Sequence, residues 1–542
     1  MSSVVVQPQG ASRTPVKPER VRPHPWHGRQ AGRPDLFLAV GVAVVTMVTA
    51  VVFRSYLVPT DPWHYVEAAR NFPSQKWVLL GLTRYGLILP LVPLASVFGD
   101  AEITYYVVPI VSSGVLAATV YLLASRFFGR AGGALAWLLL VTNPVVFLNL
   151  SRGYPDIPSM ALFCSALWLA FLARDRMGAG RLPVWHLLAV GALLGWSFEV
   201  RESSLLAWPL VVWVLWQRQA LLRTAALVGL PLLAWAAVDI ALSKWAYGDP
   251  LLKYHVLAGQ DITAVPDPSA NAAYVGRPRS FYATVIPKVA WRLPGGPCMV
   301  VSTVVAAAGV LFPRRAVRFF GLWVTGVLIL FVLQGGFLNP AHPGARLDNG
   351  RYWIAFLPAV AIAVAGIATT GWGYLGRSVD RRRGLVVAAL LAAVLVALPG
   401  VPLVRLAGTN PSLAPNGGDA LERLRDYLGD KDLRSATVWS DWMSTRILPA
   451  FQHPALGGRK WQARRFMSLS SSKNPRFAIG DYVVFFSAHD STCPFCRDVL
   501  AQWRARHSTL PSGWTEVFST PTRNVILYRV DGVSGYARDV VS

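Results

Sequence analysis

Two acids and a group of arginines stand out because each lies just beside a long apolar run. Asp61 follows the first such run, in Val58-Pro-Thr-Asp-Pro-Trp-His-Tyr-Val-Glu67, and Asp156 closes Arg152-Gly-Tyr-Pro-Asp156. Arg84, Arg201 and Arg351 recur at comparable edges. A fixed carboxylate can take a proton from a hydroxyl. Guanidinium groups hold phosphate bidentately and stabilise charge that develops on it. The pairing therefore suits attack by a hydroxyl on a centre whose leaving group is a phosphate. Thr60 or Asp61 also suits the N-cap of a short helix with Pro62 at its first position, so capping alone is the plain alternative for Asp61. His64, one helical turn on, could assist Asp61 or bind a divalent metal ion with it. Two ligands do not make a site, so metal use stays open.

The elements that must position these groups are membrane helices. Of the 542 residues, 54% are apolar and only 15% charged, and mean hydropathy is +0.41. Apolar runs of about 18 or more residues read as bilayer spans, and a soluble core does not fit this composition. Candidate spans cover 36–53, 104–124, 131–148, 158–173, 185–198, 205–216, 224–242, 299–312, 319–336, 353–371 and 385–404, about eleven in all. The connections 125–130, 174–181, 217–223, 313–318 and 376–383 are short and basic, which places them in the cytoplasm. With the N-terminus inside, an odd span count alternates through all five and leaves the C-terminus outside. Residues 76–98 are apolar but carry Arg84 and two prolines, Pro90 and Pro93, and read as an interfacial helix.

The formal net charge of +24 comes from 52 basic and 28 acidic residues. These charges punctuate spans and form no single face, so the implied partner is the lipid bilayer and its phosphates, not nucleic acid. The expected organisation is a disordered basic cytoplasmic tail over 1–35 and a transmembrane domain over 36–410 with outer loops 54–103 and 244–297. A small extracytoplasmic α/β domain follows over 411–542. Helical period over 419–428 and 497–507, and strand alternation at 436–440, 481–488, 514–518 and 524–530, support that last unit.

Every outer edge of the spans presents charge, including Glu199, Arg201, Glu202, Asp239, Arg346 and Asp348. A charge at a helix centre costs about 2.5–3.5 kcal/mol and less at the ends, so each alone could be a solvated terminus. Together they form one polar layer opposite the cytoplasmic nucleotides. A sugar on a polyprenyl phosphate fits that layer, since its phosphate leaves without a general acid and one carboxylate base suffices.

Asp61 with Tyr65, Arg152-Gly-Tyr154-Pro-Asp156, Arg201, and Arg351-Tyr352 leading into Ala355-Phe-Leu-Pro358 resemble the GT-C glycosyltransferases. The nearest branches are the protein O-mannosyltransferases and the lipid A aminoarabinose transferase. The resemblance covers roughly residues 36 to 372, and the order of its short motifs carries it. It implies a GT-C-like polytopic helical fold and a polyprenyl-phosphate sugar donor. The implied acceptor is an envelope glycan, glycolipid or protein outside the plasma membrane. It implies Asp61 as the catalytic carboxylate, Asp156 as a second acid, and Arg152, Arg201 and Arg351 as donor-phosphate contacts, with His64, Tyr65, Arg84, Tyr154 and Tyr352 lining the same site. Many relatives carry paired acids in the first loop, whereas Pro62 follows Asp61 here, so any role of a second acid is in question.

Cys493-Pro-Phe-Cys496 opens a predicted helix. Too few residues follow for a thiol-exchange fold, and a structural disulfide outside the cell is the expectation. A transporter or flippase of lipid-linked sugars is the alternative class. It would place its polar site near the bilayer midplane in repeated halves, and no repeat is evident. Heavy use of Ala, Gly, Arg and Val suggests a bacterial plasma membrane. Sugar and acceptor are not legible.

Overall fold

Apolar runs bounded by charge become helices because a helix satisfies its own backbone hydrogen bonds in an apolar medium. The structure, a computed structural model, describes residues 32–55, 57, 61–73, 83–217, 220–258, 274–378, 400–401, 403, 418–441, 444–455, 459–469, 476–486, 510–521, 523 and 525–532. The helices begin with α1 (Arg33–Val52), α2 (Asp61–Arg70), α3 (Tyr85–Phe98), α4 (Glu102–Val141), α5 (Pro144–Asn149), α6 (Asp156–Gly178) and α7 (Val184–Val200). They continue with α8 (Trp208–Leu215), α9 (Leu221–Tyr247), α10 (Leu252–Ala258), α11 (Arg279–Arg292), α12 (Gly296–Ala308), α13 (Arg315–Val332) and α14 (Leu357–Ser378).

Among the described residues, five helices are long and apolar enough to cross a bilayer: α1, α4, α6, α9 and the helix over Arg315–Phe337. Five further apolar helices have 10–17 residues. Several boundaries correct the sequence reading. Residues 104–124 and 131–148 were expected as two spans, and the helical run α4 does break between them at Gly129, whose φ of +75° suits glycine; the second stretch folds back on the first, so that a Cβ on Gly133 would meet Ser125 and the Tyr121 carbonyl. That helix stops at Val141, because Pro144 cannot continue it and the Asn143 side chain caps α5 by accepting from the Val145 and Val146 amides at 3.0 and 3.4 Å. The span expected at 205–216 is a 3₁₀ turn, Glu202–Ala207, followed by the eight residues of α8. The span expected from Trp353 starts with a 3₁₀ turn over Gly350–Ala355 and becomes α-helical at Leu357. Most of the expected 385–404 span lies outside the described residues.

Aromatic rings fill the seam between α6 and α13, with Phe163 against Trp323 at 5.2 Å and Phe171 against Phe319 at 5.6 Å between centroids. At one end of the bundle the basic connections meet. Arg126 pairs with Asp175 at 2.7 Å and Arg130 with Asp35 at 2.6 Å. Arg314 donates to the Phe127 carbonyl at 2.5 Å and the Thr370 hydroxyl at 3.0 Å. Asp61, Asp156, Arg201 and Arg351 meet at the other end.

Beyond the bundle, α15 (Gly418–Gly429) precedes β1 (Thr437–Ser440), the single turn α16 (Ser444–Ile447), β2 (Arg465–Ser468), β3 (Tyr482–Phe486), β4 (Trp514–Ser519) and β5 (Val525–Val530). The strands form one mixed sheet in the order β2-β1-β3-β5-β4, with β1 parallel to β2 and β3, and β5 antiparallel to β3 and β4. Leu424 and Leu428 of α15 are fully buried, as are Val438, Val484, Val525 and Leu527 of the sheet. The helix expected at 497–507 and the pair Cys493 and Cys496 lie outside the described residues.

Candidate active site

Local sequence explains how each charged group reaches the same end. Asp61 and Pro62 open α2, whose buried Trp63, Tyr65, Val66, Ala68 and Ala69 give it an apolar side. Ser55 ties the chain before α2 to the segment before α6: its amide donates to the Ser151 hydroxyl and its own hydroxyl to the Leu148 carbonyl, both at 2.8 Å. Asp156 is the first residue of α6. Arg351 lies in the 3₁₀ turn over Gly350–Ala355, which is fixed from behind. The Trp353 indole donates to the Leu347 carbonyl at 2.9 Å, and the buried Tyr274 hydroxyl accepts from the Leu347 amide at 2.8 Å.

The side chains then join. Arg351 Nη1 lies 2.9 Å from Asp61 Oδ2, and Arg201 Nε lies 2.9 Å from Asp156 Oδ1. The Tyr352 ring connects the two pairs, with its centroid 4.4 Å from the Arg201 guanidinium and 5.4 Å from that of Arg351. The Arg351 guanidinium also lies over the Tyr154 ring, 4.3 Å from its centroid. Arg84 Nη1 donates to the Tyr65 hydroxyl at 2.7 Å, while its Nη2 sits 3.4 Å from Glu202 Oε2. That last approach depends on Gly86: a Cβ there would lie 2.8 Å from the backbone of Glu199 and Val200. Arg152 is buried, and the positive charge of Arg351 reaches it.

The electrostatics follow from this crowding. Enclosure pushes the Asp61 carboxyl up, but Arg351, by charge and hydrogen bond, then Arg84 and His64, hold it below the ordinary carboxylate range. Asp61 is therefore ionised at neutral pH, and its side chain stays 40% exposed. Burial pushes the Tyr65 hydroxyl up to about 12 even though Arg84 pulls it down. Tyr352 moves the other way: burial raises it, but Arg351 and Arg201 bring it below its usual value. Burial lowers His64, Asp61 opposes, and Arg446 lowers it further. Among the described residues, no three His, Cys, Asp or Glu side chains gather as a metal site.

Eight of the residues singled out from sequence thus form one connected set: Asp61, Tyr65, Arg84, Tyr154, Asp156, Arg201, Arg351 and Tyr352. His64 adds an electrostatic interaction with Asp61, and its ring lies 5.0 Å from that of Trp63. Other partners had not been recognised. Glu202 was read only as an edge charge, yet it pairs with Arg84. Lys253 was not read at all. It is fully buried, ion-paired with Glu199, and 3.4 Å from Asp239. Nothing local in the sequence marked it, since only packing brings it to Glu199 and Asp239.

The bundle, with five described helices long and apolar enough to cross a membrane, has an ArnT-like fold, which agrees with the fold that the sequence resemblance implied. Residues 91–242 match the family described as dolichyl-phosphate-mannose-protein mannosyltransferase. The chain is similar in fold to ArnT from Cupriavidus metallidurans bound to undecaprenyl phosphate, with TM-score 0.57 and 15% identity over 94% of this chain and 99% of that one. It is also similar to the apo state of the same protein, with TM-score 0.51 and 14% identity over 92% and 98%. No curated protein sequence matches the chain significantly.

Proposed function

We propose that this chain transfers a sugar from a polyprenyl-phosphate donor to an acceptor hydroxyl of the cell envelope, at the outer face of a bacterial plasma membrane. The observation that carries the reading is the 2.9 Å contact between Asp61 and Arg351 within a cluster of arginines and tyrosines. It places an ionised, partly open carboxylate directly beside groups suited to a phosphate. The ArnT structure with bound undecaprenyl phosphate supports a lipid phosphate as the ligand class. Gathering of the basic connections at the opposite end supports the outward orientation.

In this mechanism the donor phosphate enters among Arg351, Arg201 and Arg84 and competes with Asp61 and Asp156 for their guanidinium groups. Loss of Arg351 from Asp61 raises the basicity of that carboxylate when the donor is in place. The acceptor oxygen attacks the anomeric carbon, its proton passes to Asp61, and the C–O bond to phosphate breaks with its electron pair left on the polyprenyl phosphate. A single displacement of this kind inverts the anomeric centre. Tyr352, lowered by two arginines, is a further donor to the developing phosphate charge. The sheet over β1–β5 is read as an extracytoplasmic domain beside this site. Replacing Asp61 with Asn and assaying transfer tests the proposal; near wild-type transfer would contradict it.

A further inference from the structure

The C-terminal region is fastened to the bundle by a buried ion pair. Glu102, at the start of α4, receives Arg425 Nη1 at 2.7 Å and the Ala455 amide at 2.7 Å, with the two side chains 1% exposed or less. Arg425 is itself held, because its Nε donates to the Arg459 carbonyl and the Trp461 indole donates to its own carbonyl, each at 2.9 Å. A pair this enclosed needs fixed geometry to offset desolvation, so it sets where the region sits.

From that base, α16 carries Arg446 to α2. The Arg446 guanidinium lies 4.0 Å from the centroid of Trp63, which is buried two residues after Asp61. The Trp63 ring in turn meets the ring of His64 at 5.0 Å. Glu67, four residues after Trp63 and so on the same side of the helix, also feels the Arg446 charge. The Tyr65 side of α2 is held separately, by Arg84 and by Ala68 and Ala69 packed with Leu87, Ile88 and Leu91 of α3. The helix that presents Asp61 is thus gripped from two directions.

We propose that Arg446 is a positioning residue supplied by the C-terminal region, clamping α2 through Trp63 so that the Asp61 carboxylate is held at its working place beside Arg351. The role assigned to Asp61 rests on the function proposed above; the clamp itself is a statement about α2. A displacement of the base of about 1 Å is enough to cost about 100-fold in rate. Lysine preserves the cation over the indole, whereas alanine removes it.

The test compares full-length wild type, Arg446→Ala and Arg446→Lys in detergent by amide hydrogen exchange over residues 61–70 and by steady-state transfer kinetics. The clamp predicts faster exchange across 61–70 in Arg446→Ala, with kcat lowered about 10- to 100-fold and donor KM little changed. Arg446→Lys should behave nearly as wild type in both. Unchanged exchange over 61–70 in Arg446→Ala overturns the proposal, and so does a wild-type kcat. If Arg446→Ala does not fold, Trp63→Phe, which keeps a ring but weakens the cation attraction, is read by the same criteria. Absence of transfer by wild type overturns the proposed function instead, and the exchange comparison still decides the clamp.

Discussion

Arg351 and Asp61 lie far apart in sequence, yet their side chains meet at 2.9 Å and each sets the charge state of the other. Burial works against the Arg351 charge, but Asp61 holds its pKa well above the usual value, and Arg351 holds that of Asp61 low. The acid is ready to accept a proton only as a weak base until something else engages the arginine. A donor phosphate is the group that the proposed reaction would bring.

The pH dependence follows from that pairing. Because the Asp61 pKa is depressed in the folded protein, the ion pair contributes stability above the unfolded carboxylate pKa of about 3.9. That contribution is lost as pH falls through the lower folded value. In the free enzyme, the acid limb of kcat/KM should lie below the ordinary carboxylate range. Arg351→Gln removes the main lowering influence, so the limb should move to higher pH while the rate at its plateau falls about 100-fold or more. A pH–rate profile of both proteins checks this. An unmoved limb would show that Asp61 is not the titrating base.

Gly86 allows α3 to press against the end of α7, which brings Arg84 to Glu202. Gly86→Ala should cost about 1–3 kcal/mol, because the new methyl meets backbone that cannot step aside. Thermal unfolding in detergent should show a lowered Tm, together with weaker donor binding as Arg84 is displaced. An unchanged Tm would mean that the two helices separate freely.

Lys253 shares its charge between Glu199 and Asp239 in a site closed to solvent. Lys253→Met strands two buried carboxylates and should destabilise by about 3–5 kcal/mol. Adding Glu199→Gln and Asp239→Asn should recover much of that loss, since the stranded charges go with them. The single and triple variants are compared by thermal unfolding. A single variant as stable as wild type would contradict the buried triad.

The groups legible in sequence were those whose position alone is unusual. Asp61, Asp156, Arg201 and Arg351 each sit at the edge of an apolar run, where a charge is costly enough to need a reason. Their pairing was not legible, because nothing local links Arg351 to Asp61 or Arg201 to Asp156. The distance is closed by helix packing. Lys253 shows the limit most plainly: among the polar residues of a long loop it looks ordinary, and only the fold puts it between two acids. The end of α4 was missed for a different reason. Hydropathy runs smoothly across Asn143-Pro144, and the capping signal in that pair was outweighed by the apolar residues around it. The grip of Arg446 on Trp63 joins two regions that were read separately.

The measurement that bears most directly on the central claim is transfer of radiolabelled sugar from a panel of polyprenyl-phosphate donors into envelope acceptors, comparing purified wild type with Asp61→Asn. The account predicts label incorporated by wild type from at least one donor. Asp61→Asn should fold and insert normally yet incorporate none above background. Equal incorporation by the two proteins, or none from any donor by a folded wild type, would contradict it.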